Sequence, residues 1–373
     1  MTTISTQGPT THNDGDEEMN TIQLTGSSCI RDTTYYKEEG DCTIFVKTTL
    51  FKIHRFILAR DGSTFEGMFA LPPGNCPTQG SSDDNPVVLH DEPDDFRAMC
   101  WALYALPMDI STPQLSTESD VSKFLGISRL ANKYHFASFE KWSTSALSQK
   151  CTAEATSFLL SCSRDMFVQI FDVAVLCRLS RLTATIANIC IRRTKIGDLG
   201  IGQALLLGEK HGLRDLQGKL YYNHLLAMDA HDTKPIPNGT AYIYDNSTLN
   251  PTQMLRLYAG YWSLSQYWQN ICNMPTPQLP MVNGCTNTFH SEYCDTEWPD
   301  MWEGAISSVH ERRLFGVNVT GNLDLLKIDL ALQQPRKQNA SASCLAAAGE
   351  FVSALKRDLE KTLPEHFLGA ENT

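Results

Sequence analysis

Apolar residues are sparse over the first thirty positions, then arrive in two short runs, and after that recur at helical spacing. Residues 1 to 31 are polar, Thr-rich and acidic, with almost nothing to bury, which predicts a disordered arm. Thr43 to Val46 and Leu50 to Ile53 are rich in β-branched and aromatic residues and predict two strands joined by a tight Lys47-Thr48-Thr49 connection, the fold beginning near Tyr35. From Arg55 the spacing turns helical, and the Pro-, Gly-, Asn-, Ser- and Asp-rich stretch from Leu71 to Pro86 predicts a surface loop. Val87-Val88-Leu89 resumes a strand. Asp94 to Tyr104 then carries acids in its first turn and apolar residues at Phe96, Met99, Cys100 and Leu103, the pattern of an amphipathic helix whose N-terminus favours negative charge. Phe124, Ile127, Ala131 and Tyr134, followed by Phe139, Trp142 and Ala146, predict a helical pair.

Beyond Cys151 strand signals stop. Val168, Phe171 and Val175, then Leu182, Ile186 and Ile189, then Leu213, Leu216, Leu220 and Leu225 mark successive amphipathic helices. A polar break from Asp229 to Pro251 precedes another helix beginning near Thr252, and Leu345, Phe351, Leu355 and Leu359 predict a closing helix from Ser343 to Leu363. The expected fold class is α+β. An arm (1–31) leads into a small β-sheet packed with helices (32–148), and an all-α C-terminal region (149–373), divided near 229–251, follows.

Composition narrows the function. The 373 residues are 42% hydrophobic, enough for sizeable cores. The 31 basic and 42 acidic residues give a net charge of −11, which opposes a nucleic-acid backbone. The densest basic cluster, Arg192-Arg193-Thr194-Lys195, reads as a solvated helix end. The N-terminal stretch shows no apolar core of a signal peptide, and no window reaches the roughly 18 consecutive apolar residues of a membrane span. An intracellular protein, cytoplasmic and/or nuclear, is expected, with its twelve cysteines held as thiols.

Several segments share wording with one family. Gly40-Asp41-Cys42-Thr43-Ile44-Phe45-Val46 runs through a second strand into His54-Arg55-Phe56-Ile57-Leu58-Ala59-Arg60, and Ser63-Thr64-Phe65-Glu66-Gly67-Met68-Phe69 follows. This order resembles the opening of a BTB/POZ domain, over Tyr35 to Leu147. Phe51 to Asp61, Trp101-Ala102-Leu103-Tyr104-Ala105-Leu106-Pro107, Leu130 to Phe136 and Gly260 to Trp268 are similar to a fungal, basidiomycete-like branch of that family. The resemblance implies a homodimer whose charged pocket is lined by Asp41 and Arg55. Phe51, His54, Phe56 and Ile57 surround it, the apolar ones among them being equally suited to the domain's own core. It implies a self-associating scaffold and adaptor rather than an enzyme. The alternative is a substrate adaptor for a cullin-type ubiquitin ligase. Adaptors of that kind carry a hydrophobic-x-Glu motif soon after the Met-Phe step, whereas Ala70-Leu71-Pro72-Pro73 follows here.

Other chemistry is thinly represented. Cys285, His290 and Cys294, with Cys272 upstream, have a spacing that could hold zinc, but no Cys-x-x-Cys pair occurs and a thiol is commonly a small buried hydrophobe, so no metal and no cofactor are expected. Gly197-Asp198-Leu199-Gly200-Ile201-Gly202 lacks the Lys and Ser/Thr of a phosphate loop and reads as a helix–helix turn. No nucleophile, base and orienting acid fall into a recognisable pattern. In the aromatic stretch Tyr258, Tyr261, Trp262, Tyr267 and Trp268, the spacing puts Tyr258, Tyr261 and Leu264 on a core face. Trp262 and Trp268 are left as candidates for a partner surface.

Overall fold

A computed structural model describes residues 29–72, 78–111, 115–153, 158–231, 248–312, 316–332 and 342–371. The expected N-terminal arm lies outside these residues except for its last three, of which Ile30 and Arg31 belong to a strand rather than to the arm, and most of the 229–251 break also lies outside them. The chain is α+β and divides into two units. The first takes residues 1–113 with 130–141, and the second takes 114–129 with 142–373. The boundary expected at 148 therefore falls inside the second unit, and the helical pair lends residues to both.

In the first unit, β1 (Ile30–Tyr36), β2 (Cys42–Val46) and β3 (Thr49–Ile53) precede the short helices α1 (Arg55–Leu58) and α2 (Thr64–Ala70). Strand β4 (Val87–Leu89) and helices α3 (Pro93–Tyr104) and α4 (Pro107–Ser111) follow. The sheet order is β1-β3-β2-β4, with β2 and β3 antiparallel, β4 parallel to β2 and β1 parallel to β3. The central strands β2 and β3 are covered on both faces, which is why they read as continuous apolar runs instead of an alternating pattern. Phe51 and Phe96 meet edge to face with ring centroids 4.8 Å apart, and Ile44, Ile53, Leu58, Met99 and Phe136 are fully buried in the same unit. Pro93 opens α3 with Asp94 and Asp95 in its first turn, the arrangement a helix N-terminus prefers.

Strand β1 was not expected. Its residues are polar and mostly exposed, as an edge strand permits, and the one deeply buried side chain it contributes is a carboxylate. Asp32 accepts from the amides of Thr34 (3.0 Å) and Tyr35 (2.8 Å) and from Arg97 Nε at 2.7 Å. Burial alone would raise this carboxyl, but the Tyr35 amide, the Arg97 guanidinium and the Thr34 amide outweigh it and hold it below the usual range. The folded value lying below the unfolded one, the contribution is complete above about pH 4 and is lost as pH falls toward the folded value. Asp32→Asn is therefore expected to cost about 1.5–3 kcal/mol at pH 7. The difference from wild type should shrink on acidification to pH 3, as read by urea unfolding at both pH values; a gap that is the same at both would refute this role.

The second unit begins in α5 (Glu118–Tyr134) and α6 (Ala137–Ala153), whose remaining residues belong to the first. It continues through α7 (Phe158–Ser161), α8 (Arg164–Leu176), α9 (Ser180–Lys195), α10 (Ile201–Lys210) and α11 (Arg214–His231). After residues 232–247 come α12 (Pro251–Asn273), α13 (Asn287–Phe289), a π-helical turn (His290–Cys294), α14 (Asp295–Glu311), α15 (Val319–Leu332) and α16 (Ala342–Leu368). Asn250 and Gln253 form a reciprocal capping box at the start of α12, with Pro251 in the first turn. Helix α16 packs against α11, α12 and α15, burying Cys344, Ala348, Val352, Leu359, Leu363 and Phe367. The closing helix thus exists, but Phe351 and Leu355 of the expected stripe are only partly buried. The glycine-containing turn after α9 is a helix–helix connection, as expected, with Gly197 at φ +75°. No helix among the described residues is long and apolar enough to cross a membrane.

Candidate functional site

The residues singled out around α1 sort by burial. Phe51 and Ile57 lie in the core of their own unit, so neither is presented to a partner on the folded surface. Phe56 points the other way and is 61% exposed; its ring lies 5.6 Å from the His54 ring and 5.4 Å from the guanidinium of Arg60. His54 ends β3's exit into α1 and is held from within: its Nδ1 and the Tyr104 hydroxyl share a 2.8 Å hydrogen bond, and its amide donates to the same oxygen at 3.2 Å. Tyr104 closes α3, so this contact fixes the helix start against a neighbouring helix.

Asp41 and Arg55 do meet, but each binds the other's backbone. The Asp41 carboxylate accepts from the Arg55 amide at 2.6 Å, capping the first turn of α1 where unpaired amides carry partial positive charge. Arg55 Nε donates to the Asp41 carbonyl at 3.2 Å and an Nη to the Gln79 carbonyl at 3.3 Å, with the guanidinium stacked over Phe69 at 5.1 Å. Within one chain the two residues thus form a capping arrangement, with Asp41 exposed and Arg55 half-buried. It positions Phe56 by fixing the helix that carries it.

In α12 the buried face is Leu257, Gly260, Leu264, Trp268 and Ile271. Trp268 is thereby a core residue. Tyr258 and Tyr261, expected inside, are exposed together with Leu255 and Trp262, the last at 67%. Gly260 explains the misreading. The face passes through a residue with no side chain, so a count of apolar positions skips it.

A second group lies between α12 and α14 and at the start of α16. Cys285, His290, Cys294 and Cys344 bring one ligand atom each within 4.8 Å of all the others. The Cys285 sulfur stands 3.8 Å from His290 Nδ1 and 4.0 Å from the Cys294 sulfur, and the Cys344 sulfur stands 3.5 Å from His290 Nδ1. His290 Nε2 faces the Leu279 carbonyl at 3.1 Å and the Asp295 carboxylate at 3.2 Å. Since a carbonyl only accepts, Nε2 carries the proton and the Nδ1 lone pair is turned toward the thiols. Burial, and then the Cys344 and Cys294 sulfurs, push the Cys285 thiol up to about 11. Cys344 takes the place that spacing gave to Cys272, which is half-buried against the core.

Comparison with known protein families, curated proteins and solved structures returns no match to this chain.

Proposed function

We propose that the chain is a non-enzymatic interaction protein of BTB/POZ type, which self-associates through its N-terminal α+β unit and presents partner-binding surface on its helical unit. The residue order across β2, β3, α1 and α2 supports the family reading, since it follows the segments on which the resemblance rests. The observation that carries self-association is Phe56. A phenyl ring left in water forfeits roughly 1.5–3 kcal/mol relative to full burial, and here it sits between an imidazole and a guanidinium on a helix braced by Asp41, Arg55 and Tyr104. Ile57 and Leu58 bury the opposite side of the same helix. On the helical unit, the exposed Leu255, Tyr258, Tyr261 and Trp262 of α12 supply the aromatic character typical of binding hot spots. Pairing two chains would double this face and raise the apparent affinity for a repeated partner.

The test is the mass in solution by light scattering after gel filtration over a range of concentrations. Wild type should show twice 41.6 kDa. Phe56→Glu should weaken the dimer on the order of 100-fold, as loss of a hot spot worth about 2–3 kcal/mol requires, with an unchanged circular dichroism spectrum. A wild-type monomer at every concentration would remove self-association from the reading.

A further inference from the structure

We propose that Cys285, His290, Cys294 and Cys344 hold a single zinc ion, which ties the start of the C-terminal helix α16 to the segment leading into α14. The site stands apart from the self-association argued above and depends on none of its residues.

The first ground is geometry. Zinc binds sulfur at about 2.3 Å and imidazole nitrogen at about 2.0–2.1 Å in a tetrahedron, so two ligands on one ion stand about 3.5–3.8 Å apart. The observed sulfur–nitrogen distances of 3.5 and 3.8 Å fall in this range, and the sulfur–sulfur distance of 4.0 Å and the widest separation in the group, within 4.8 Å, exceed it by no more than about 1 Å, which small side-chain rotations close. They do not match a disulfide, whose sulfurs are about 2.05 Å apart. Three thiols and one imidazole form a recurrent structural zinc set, and sulfur-rich tetrahedral sites select zinc over magnesium or calcium.

The second ground is orientation. A ligating histidine needs its free lone pair toward the metal and its other nitrogen held by an acceptor. His290 has both, with Nδ1 toward the sulfurs and Nε2–H toward the Leu279 carbonyl and the Asp295 carboxylate. The backbone contributes as well. The Asp295 amide donates to the His290 carbonyl five residues back, and this wider π turn sets the His290 and Cys294 side chains into one group. Gly284, at φ +100°, turns the chain immediately before Cys285.

The third ground is what the four residues join. Cys344 lies in the first turns of α16, fifty residues beyond Cys294, and Cys285 belongs to a stretch from Pro275 that has no regular structure until α13. All four ligands come from the protein, so no position is left open for substrate and the ion's role is structural. Binding converts three thiols to thiolates, their three protons passing to solvent, while His290 remains neutral. The resulting centre carries one net negative charge. A cluster of buried thiols hydrogen-bonded to an imidazole would need no ion, and metal content separates the two readings.

The experiment uses the full-length chain, purified in reductant without chelator. Elemental analysis should find about one zinc per chain. After zinc removal, titration with cobalt(II) alone should give thiolate-to-cobalt charge transfer and the intense visible bands of a tetrahedral site, saturating at one equivalent. Cys294→Ser should weaken cobalt binding on the order of 100-fold or more, and Cys344→Ser should do the same, since even the loss of a group behind a ligand costs 10- to 100-fold. Cys272→Ser should leave both stoichiometry and spectrum unchanged. Should either ligand variant fail to fold, the intensity of the wild-type charge-transfer band still counts thiolates, and three are required. Absence of zinc together with absence of a cobalt spectrum in reduced wild type would overturn the site. So would equal cobalt binding by a folded Cys344→Ser protein.

Discussion

Replacing Arg193 with alanine is expected to destabilise the helical unit by about 3–5 kcal/mol, the range seen when one member of a buried ionic contact is removed. The guanidinium is only 2% exposed, and each of its faces has a use. Nε donates to the Asp198 carboxylate at 2.5 Å, while the Nη atoms donate to the Cys162 carbonyl at 2.9 Å and the Leu159 carbonyl at 3.3 Å. Its plane lies 4.7 Å from the Phe167 ring. Leu159 lies in α7 and Cys162 follows its last residue, so both carbonyls stand at the C-terminal side of a four-residue helix, where terminal carbonyls lack intrahelical partners and a cation meets the negative end of the helix dipole. Alanine would orphan those carbonyls in the core. Asp198 is half-buried, so water recovers part of its loss and the effect should fall in the lower half of the range. Lysine keeps the charge but not the planar fork, and should recover less than half of the loss. Urea unfolding of the three proteins is the measurement. A midpoint for Arg193→Ala within error of wild type would mean that these contacts contribute nothing net.

Arg193 also shows where sequence reasoning runs out. The tract Arg192-Arg193-Thr194-Lys195 reads as a solvated helix end, and for Arg192 and Lys195 the structure agrees. The outlier is decided by partners more than thirty residues upstream and by an aspartate on the far side of a turn, none of which charge pattern can weigh. The same limit hides the fourth cysteine. Cys285, His290 and Cys294 are close enough in sequence to be noticed together, but Cys344 joins them only through the packing of α14, α15 and α16. Strand β1 escapes for another reason: as an edge strand anchored by one carboxylate it lacks the apolar alternation by which strands are recognised. By contrast, β2, β3, β4 and α3 are legible because local composition and burial point one way, joined in α3 by the proline and acids of its first turn. At α1, the sequence marks the right residues but cannot tell which face of a four-residue helix is the inner one. Phe56 and Ile57 are neighbours with opposite fates.

The crossing of α12 and α16 supplies the second large effect, because it is built on a glycine and an aromatic ring. A methyl group placed on Gly260 would lie 2.0 Å from Cδ1 and 2.1 Å from Cε1 of Phe367. The ring has nowhere to retreat: it is 3% exposed and stacked 5.2 Å from the ring of Tyr221, itself fully buried. Phe367→Ala should cost about 3–5 kcal/mol through lost burial and the cavity left behind. Gly260→Ala should cost about 2–3 kcal/mol through overpacking, even though alanine is the better helix former by about 1 kcal/mol. The two changes should not add. With the ring gone, the methyl group at position 260 enters the space it vacated, and the helix-propensity gain is then uncovered. In the Phe367→Ala background Gly260→Ala should therefore be neutral or stabilising by up to about 1 kcal/mol. Urea unfolding of the two single variants and the double variant gives the coupling directly. Additive losses would show that α12 and α16 do not meet at these two residues, and the register of the C-terminal helix against α12 would have to be redrawn.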